Sequence, residues 1–252
     1  MPEEGRFAAG AVGRALAWIG AQDDPDRYLC LAETLRLGRG TVEVLEDDGL
    51  MVRVRRNGAV LAAPASTRAA RAMREAAGRP PIIGLMDAAF AAEVAPGLDY
   101  GSYTLWKYPA ATPVPEGMLE PRPGADRLDL RRLGPSFAPA VARQYRTMPR
   151  ADTVQHVEAG LVWGGFDRAG ELVGFIGEHD ESSMGMLEIY PRFRELGYAT
   201  QLEGMQIGRF LDAGRVPFCQ VAVGNTASER LQARLGLVQV PGEQCWISSP
   251  DR

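Results

Sequence analysis

The sequence predicts an α/β protein built from two consecutive parts. Three observations predict this class. Short apolar runs alternate with amphipathic stretches of helical period, tight-turn sequences separate several of the apolar runs, and one proline-rich stretch divides the chain. The 252 residues are 46% hydrophobic and 24% charged, which is typical of a globular protein and excludes the disordered and fibrous classes.

The first part begins with two helices over residues 8–37, where apolar residues recur at helical spacing on both sides of Asp24 and Pro25. Gly38 and Gly40 end the second helix. The sequences Asp-Asp-Gly and Asn-Gly, which suit tight hairpin turns, then separate three apolar runs and predict an antiparallel meander. The predicted strands are 41–45, 50–54, 59–62, 82–86 and 103–108, and further helices are predicted at 65–77 and 87–94.

A linker is predicted at 109–123, because its five prolines remove the amide donors that helices and inner strands need. We therefore expect an N-terminal α/β domain over 1–110, a linker over 111–125 and a C-terminal domain over 126–252. The C-terminal domain is predicted to contain a strand, two helices, three strands, a helix, a strand, a helix and a last strand. Their ranges are 126–133, 135–148, 152–159, 161–166, 171–177, 184–190, 196–213, 218–223, 227–235 and 244–248.

Charge and cysteine content exclude several functions. The 28 basic and 32 acidic residues leave a net charge of −4, so non-specific nucleic-acid binding is not expected. Cys30, Cys219 and Cys245 are widely spaced, and with only two histidines they predict no metal site. The start is acidic and lacks a signal-type apolar stretch, and no run of ~18 apolar residues occurs, so we expect a cytoplasmic protein with no membrane partner.

The sharpest motif is Arg-Glu-Leu-Gly-Tyr-Ala at 194–199, which follows an apolar strand and opens an amphipathic helix. The free amides and dipole of a helix N-terminus form an anion site, and the small residues Gly197 and Ala199 let phosphate oxygens approach the backbone. Arg194 adds a charged donor. Because this composition yields such a pattern about once by chance, a phosphate cradle and an ordinary helix N-terminus both stay open on these residues alone.

The tail of the chain adds independent elements. The apolar strand at 218–223 runs into Gly-Asn-Thr-Ala-Ser at 224–228, and Leu-Gly-Leu follows at 235–237. In order and spacing, the strand, Arg-x-x-Gly-x-Ala, helix, strand, Asn-x-x-Ser, helix and Leu-Gly-Leu resemble the acyl-CoA-binding core of the GNAT superfamily of N-acyltransferases. The resemblance covers residues 126–250.

The segment 173–189 is especially similar to a bacterial branch of this superfamily that has a separate N-terminal half, an architecture like that of the glycine N-acyltransferases. The N-terminal half here carries no comparable motif. Its helix-helix-strand-strand-strand order suggests a degenerate copy of the same fold, and that question stays open at the level of sequence.

The resemblance implies an α+β type of fold, with a mixed, mostly antiparallel central sheet, flanking helices and a cleft for acyl-CoA where two strands splay apart. Acetyl-CoA is the implied cofactor, with no metal. Its diphosphate would lie on the backbone amides of residues 194–200, and an amide near Ile189 would polarise the thioester carbonyl. The implied cofactor-binding residues are Leu187, Ile189, Arg194, Glu195, Leu196, Gly197, Tyr198, Ala199, Thr200, Asn225 and Ser228.

The reaction needs a neutral amine, because an alkylammonium with a pKa near ~10 has no lone pair to attack with. A carboxylate or histidine must take its proton. Glu188 is the first candidate, since strand alternation sets it on the face of Met186 and Tyr190, toward the splay. A hydrogen-bonded strand carboxylate is the structural alternative.

Glu178 and His179, at the hairpin before this strand, are the second candidates for the catalytic base, and Glu181 lies with them. For His179 a hairpin cap is the structural alternative. His156 lies within a short amphipathic helix and is predicted to be a surface or packing residue.

One position departs from the family pattern. Many members have a tyrosine seven residues after the motif asparagine, where it is thought to protonate the leaving thiolate, and this chain has Gln232 there. A CoA thiolate, with a pKa near ~8.5, can leave unassisted or take a proton from water or Ser228, so activity is not excluded. Cys219 is predicted to be a small buried hydrophobe.

The resemblance therefore predicts an enzyme that moves an acetyl group from acetyl-CoA to a primary amine of a small molecule, through a ternary complex. Two alternatives stay open. One is an acyl-CoA-binding regulatory module with decayed catalysis, and the other is an acetyltransferase for a protein N-terminus or lysine. The acceptor, the acyl chain length and the choice between monomer and homodimer are not encoded in the linear sequence.

Overall fold

In the computed structural model, which describes residues 2–248 and their side chains from residue 10 onward, eleven strands form one continuous sheet with helices on both faces. The N-terminal half contains α1 (Pro2–Gly20), α2 (Leu29–Arg36), β1 (Gly40–Glu46), β2 (Gly49–Val54), β3 (Val60–Pro64), α3 (Thr67–Ala77), β4 (Ile82–Leu85), α4 (Ala91–Val94) and β5 (Gly101–Lys107). Short 3-10 turns at Pro25–Tyr28 and Ala88–Phe90 precede α2 and α4.

The C-terminal half follows a one-turn helix, α5 (Glu116–Leu119), that lies inside the proline-rich stretch. It contains β6 (Asp129–Arg132), α6 (Ala138–Gln144), α7 (Arg150–Glu158), β7 (Val162–Phe166), β8 (Leu172–Glu178), β9 (Met184–Ile189), α8 (Tyr198–Asp212), β10 (Phe218–Ala222), α9 (Thr226–Leu235) and β11 (Val238–Ser248). Further 3-10 turns occur at Pro135–Phe137 and Pro191–Phe193.

The sheet is mixed and mostly antiparallel, which confirms the predicted fold class. The strand order is β1-β2-β3-β4-β11-β5-β10-β9-β8-β7-β6. The parallel pairs are β3 with β4 and β9 with β10, and the other neighbours are antiparallel. The predicted meander is present as β1-β2-β3, because the turns at Asp47-Asp48 and Asn57-Gly58 reverse the chain.

The final strands of the two halves are exchanged. β5, the last strand of the N-terminal half, pairs with β10 of the C-terminal half, and β11, the last strand of the chain, pairs with β4 of the N-terminal half. β5 and β11 also pair with each other, antiparallel, at the centre of the sheet. Each half therefore completes the sheet of the other.

Apart from β6, the edge strand that precedes α6 in the C-terminal half, the two halves follow the same order of elements. Each has two helices, three antiparallel strands, a helix, a strand parallel to the third one, a helix and an exchanged final strand. We interpret the N-terminal half as a degenerate copy of the C-terminal half on the basis of this order.

Two local predictions in proline-containing segments differ from the structure. The 109–123 stretch was expected to lack helix, yet α5 forms one turn between Pro115 and Pro121, where no proline interrupts it. β11 begins at Val238 and not at 244, because the Pro241-Gly242 sequence forms an irregularity within the strand, with a shift in register after Gln239 and φ of +93° at Gly242.

Separate apolar clusters cover the two faces of the C-terminal strands. On one face, α6 and α7 pack around Phe175 and Met186, and on the other, α8 packs through Leu202 against Ile176. Within residues 2–248, no helix combines the length and apolar character that a membrane crossing would require.

Candidate functional site

The candidate site lies where β9 and β10 separate. These strands pair only at Met184 with Cys219, whereas β3 and β4, at the corresponding place in the N-terminal half, pair at three positions. At Met186 φ is +54°, and the register between β8 and β9 shifts beside it. The backbone edges of β9 and β10 beyond Met184 and Cys219 therefore face each other without pairing.

A cavity of about 410 Å³ opens into this gap. Both halves of the chain line it. The N-terminal half does so through β2 to β5, and the C-terminal half through the α6–α7 connection, the helices α7 to α9 and the strands β8 to β11. In the described part of the chain, no arginine or lysine is among the lining residues. The polar and charged ones are Asn57, Tyr103, Tyr145, Thr147, His156, His179, Asp180, Glu181, Glu203, Gln220, Asn225, Ser228, Gln232 and Ser248.

The predicted diphosphate loop forms the N-terminus of α8. Gly197 is the residue before the helix, with φ of +87°, and no described side chain caps the helix there. Glu195 is also left-handed, with φ of +66°. Arg122, from the proline-rich stretch, donates a hydrogen bond of 2.8 Å to the Glu195 carbonyl and supplies a positive charge beside the loop. The amides that open α8 are thus available to an anion.

Arg194 does not extend over these amides. Its Nη2 lies 2.9 Å from Glu188 Oε1, and its Nε donates to the Ile189 carbonyl at 3.1 Å. The guanidinium is therefore bound to β9.

The motif asparagine has a local role as well as a place in the cavity. Asn225 Oδ1 accepts a hydrogen bond of 3.2 Å from the Ser228 amide and caps α9. Asn225, Ser228 and Leu187 line the cavity, whereas Ile189 and residues 194–200 lie outside its lining. Tyr198 is buried, and its hydroxyl accepts from the Asp126 amide at 3.1 Å.

The first predicted base, Glu188, lies on the same face as α6, as strand alternation predicts. Gln144 Nε2 on α6 donates to its Oε1 at 3.3 Å, and Arg194 forms an ion pair with the same oxygen. Glu188 is not among the cavity-lining residues. The charge of the carboxylate is therefore balanced by Arg194, and the carboxylate lies outside the cavity.

Glu178, a second candidate, connects the two halves of the chain. Its Oε2 lies 3.1 Å from Arg39 Nη1, which follows α2, and 2.9 Å from Arg215 Nη1, which precedes β10. The carboxylate is buried and does not line the cavity. Its contacts are those of a structural ion pair.

His179 and Glu181 do line the cavity. The His179 ring lies over Gly185 of β9, in space that a side chain at this position would fill. Ser183 Oγ donates to Glu181 Oε1 at 2.5 Å. The β8–β9 turn thus presents an imidazole and a carboxylate at one wall of the cavity.

His156 is buried, in agreement with the predicted packing role, and it also lines the cavity. Its Nδ1 lies 2.8 Å from the Asp152 carbonyl, which only a protonated Nδ1 can satisfy. Nε2 is 3.6 Å from Asp180 Oδ1. Burial lowers the pKa of His156, while Asp180 acts in the opposite direction. The Asp180 carboxylate is itself held by Arg56 and by Asn57, at 2.6 Å.

Two tyrosines on opposite sides of the gap also went unpredicted. Tyr103 lies on β5, opposite Ala222 of β10, and Tyr145 follows α6. Burial raises the pKa of Tyr145 to about 12. Tyr103 reaches the cavity because of the strand exchange, which no local pattern encodes.

The cysteines are buried and free. Burial raises the pKa of Cys219 well above its ordinary value, so its thiol is a poor nucleophile. Within residues 2–248, no group of three or more His, Cys, Asp or Glu side chains is arranged to hold a metal ion.

The corresponding place in the N-terminal half is closed. Besides the pairing of β3 and β4 at three positions, the N-terminus of α3 is capped by Ser66 Oγ, which accepts from the Ala69 amide at 3.0 Å. The Ser66 hydroxyl donates to Asp48 at 2.6 Å, so a carboxylate already occupies the positive end of this helix. A second anion would be repelled there.

Residues 159–247 match the family model described as FR47-like protein. A GCN5-related N-acetyltransferase-like protein from Streptococcus suis is 14% identical, with a TM-score of 0.59 over 96% of this chain and 100% of that chain. A GCN5-related N-acetyltransferase from Kribbella flavida is 13% identical, with a TM-score of 0.58 over 91% and 97%.

A tandem GNAT protein from the clavulanic acid biosynthesis pathway is 14% identical, with a TM-score of 0.50 over 96% of this chain and 95% of that chain. A search of curated protein sequences found no match. At these identities the solved structures show a shared fold over nearly the whole chain.

Proposed function

We propose that this chain, whose residues 159–247 match the FR47-like family model and whose fold matches that of a GCN5-related N-acetyltransferase-like protein, transfers an acetyl group from acetyl-CoA to a primary amine of a small molecule. The observation that carries the proposal is the cavity at the separation of β9 and β10. It has His179 and Glu181 on one wall and Asn225, Ser228 and the α8–α9 face on another.

The residues around the gap fit acyl-CoA. The uncapped amides that open α8 suit a diphosphate, and Gly197 leaves its backbone free of a side chain. The unpaired edges of β9 and β10 offer donors and acceptors to the amide groups of pantetheine. The cofactor supplies the activated acyl group, and the chain supplies its position.

The charges around the cavity favour a cationic acceptor. Asp180 and Glu181 are carboxylates of the lining, and the described residues place no arginine or lysine there. A primary amine arrives mostly as an ammonium ion at neutral pH. Because the cavity of about 410 Å³ must hold both the acyl end and the acceptor, and both halves of the chain line it, a small molecule fits better than a protein segment.

His179 is the proposed proton acceptor, with Glu181 beside it. Glu188 and Glu178, which the sequence also favours, are held by arginines outside the cavity. An imidazole at this wall can take the proton of the ammonium directly or through water, which frees the lone pair for attack on the thioester carbonyl. Backbone amides of the β9 edge would stabilise the negative charge that develops on the oxygen.

A binding module without catalysis is the second candidate. It is favoured by Gln232 at the position of the family's tyrosine, because an amide cannot serve as a proton donor to the thiolate.

Calorimetric titration with acetyl-CoA and longer acyl-CoAs, followed by detection of free thiol with an amine library, separates the candidates. Micromolar binding with amine-dependent thiol release is the expected result. Binding without release would favour the binding module, and the absence of binding would overturn both.

A further inference from the structure

Glu203 is a buried carboxylic residue that neither the fold nor the proposed acceptor site requires. It lies on α8 with 3% of its surface exposed, and it lines the cavity. Its Oε2 is buried and has no hydrogen-bond partner among the described residues. The Oε1 atom of Gln232, on α9, is likewise buried and has no hydrogen-bond partner among the described residues. Leaving two buried acceptors without a donor is unfavourable, and a proton on one of them would supply the donor.

That proton belongs on Glu203. Burial raises the pKa of the carboxyl to about 7, and a hydrogen bond with Gln232 acts against this rise. The ionisable neighbour of Glu203 is the Cys219 thiol on β10, whose own pKa is raised, so it stays neutral. α9 presents the uncharged Gln232. No described cation faces the carboxyl to hold it ionised.

The position of Glu203 relates it to the departing end of the cofactor. Cys219 lies at the one position where β9 and β10 pair, and Gln232, Ser228 and the preceding Asn225 line the same cavity from α9 and its N-terminus. His179 and Glu181 approach from the β8–β9 turn, whereas Glu203 comes from α8. A thioester in the gap would have the proposed base and the Glu203 carboxyl on different walls.

We propose that Glu203 is the catalytic residue that donates a proton to the CoA thiolate, in place of the tyrosine that Gln232 replaces. The inference rests on the proposed acyltransferase function. The amine nitrogen bonds to the carbonyl carbon, the carbon–sulfur bond breaks, and the electron pair of that bond goes to sulfur. Sulfur then takes the proton from Glu203, which is reprotonated from water, while the proton of the amine leaves through the base.

The test compares the wild type with Glu203→Gln, which keeps the shape and removes the acidic proton. A thiolate with a pKa of about 8.5 leaves readily. We therefore expect kcat to fall by about 10- to 100-fold, which is less than the loss of rate that most general acids cause when they are removed. The acetyl-CoA Kd and the Tm should stay close to wild type. Wild-type kcat should also decline as pH rises through about 7, because the acid must be protonated, and the variant should lack this decline.

Glu33→Gln is the matched control, because Glu33 is an equally buried carboxylate that forms an ion pair with Arg36 in α2 and does not line the cavity. Its kcat and pH profile should match those of the wild type. Unchanged kcat and an unchanged alkaline decline in Glu203→Gln would overturn the proposal, and a loss of rate in Tyr145→Phe would then move the donor to that side chain.

A second measurement does not depend on the variant. In wild-type protein labelled with 13C at the glutamate carboxyls, one carboxyl should titrate near neutral pH by NMR. If all glutamates titrate in their ordinary range, the proposal fails even where Glu203→Gln does not fold. If the wild type binds acetyl-CoA and releases no thiol with any amine, the proposed function fails, and the inference fails with it. If the wild type and Glu203→Gln release thiol at the same rate when an amine is added, the inference about Glu203 fails and the proposed function stands.

Discussion

At the scale of single residues, proton transfer depends on which ionisable groups reach the cavity and which are already neutralised. Glu188 lies 2.9 Å from Arg194, and Glu178 lies 3.1 Å from Arg39 and 2.9 Å from Arg215. Neither carboxylate lines the cavity. His179 lies inside, over Gly185. His156 has its Nδ1 proton directed at a carbonyl, so its Nε2 lone pair faces Asp180 until a proton arrives.

The assignment of His179 predicts an asymmetry between two variants. His179→Asn should lower kcat by about 100-fold with little change in acetyl-CoA Kd, because it removes the proton acceptor and no proposed cofactor contact. Glu188→Gln should lower kcat less, since its carboxylate already serves Arg194 and Gln144. Steady-state thiol release with one amine substrate measures both.

Gly185→Ala is a control for position, because the added methyl group would displace the His179 ring without altering its chemistry. This variant should lower kcat, as His179→Asn does. Full turnover in His179→Asn together with a large loss in Glu188→Gln would return the role to Glu188.

At the scale of elements, the contrast between α8 and α3 explains why one half would bind a cofactor. Both helices follow a strand and precede a parallel one. α8 begins at a left-handed glycine with uncapped amides, whereas α3 begins at Ser66, whose hydroxyl caps the helix and contacts Asp48. The same helix dipole thus faces an open site in one half and a carboxylate in the other.

Gly197→Asp should weaken acetyl-CoA binding by at least about tenfold, because it places a carboxylate beside the expected diphosphate. Gly197→Asn is the matched control, since it imposes the same strain at φ of +87° without the charge. Calorimetric Kd values for the two variants, with Tm as the measure of strain, isolate the electrostatic effect. Equal affinity in the two variants would place the diphosphate elsewhere.

At the scale of the whole molecule, the strand exchange binds the halves together. β11 pairs with β4 and β5, and β10 pairs with β5, so the C-terminal half contains strands whose neighbours come from the N-terminal half. Glu178 adds an ion pair with Arg39 across the halves. The N-terminal half also lines the cavity through Leu61 and Ile82, which suits a role in shaping the acceptor site.

A truncated chain of residues 126–252 should therefore not form a stable monomer, because β10 and β11 would lose their pairing with β5 and expose unpaired edges. Size-exclusion chromatography and circular dichroism, with the full chain as control, should show aggregation, unfolding or a strand-exchanged dimer. A folded monomer that binds acetyl-CoA like the full chain would show that the exchange is dispensable.

Much of the local structure could be predicted because its causes are local. The hairpin at Asn57-Gly58, the asparagine cap of α9 and the glycine that opens α8 all follow from the conformations and hydrogen bonds that these residue types favour. The residues implied for cofactor binding lie close together in sequence, around two turns, so a short pattern could indicate them. Their role in binding remains a proposal.

The sequence by itself thus determined the order of helices and strands, the mixed class of the sheet and the resemblance that points to acyl-CoA. The tertiary structure decided which final strand joins which half and which side chains share the cavity. Pairing between β5 and β10, more than a hundred residues apart, places Tyr103 at the cavity, and the packing of α8 against α9 brings Glu203 and Gln232 together. Such contacts depend on the register and packing of distant segments, whereas helical and strand periodicity acts only over neighbouring residues.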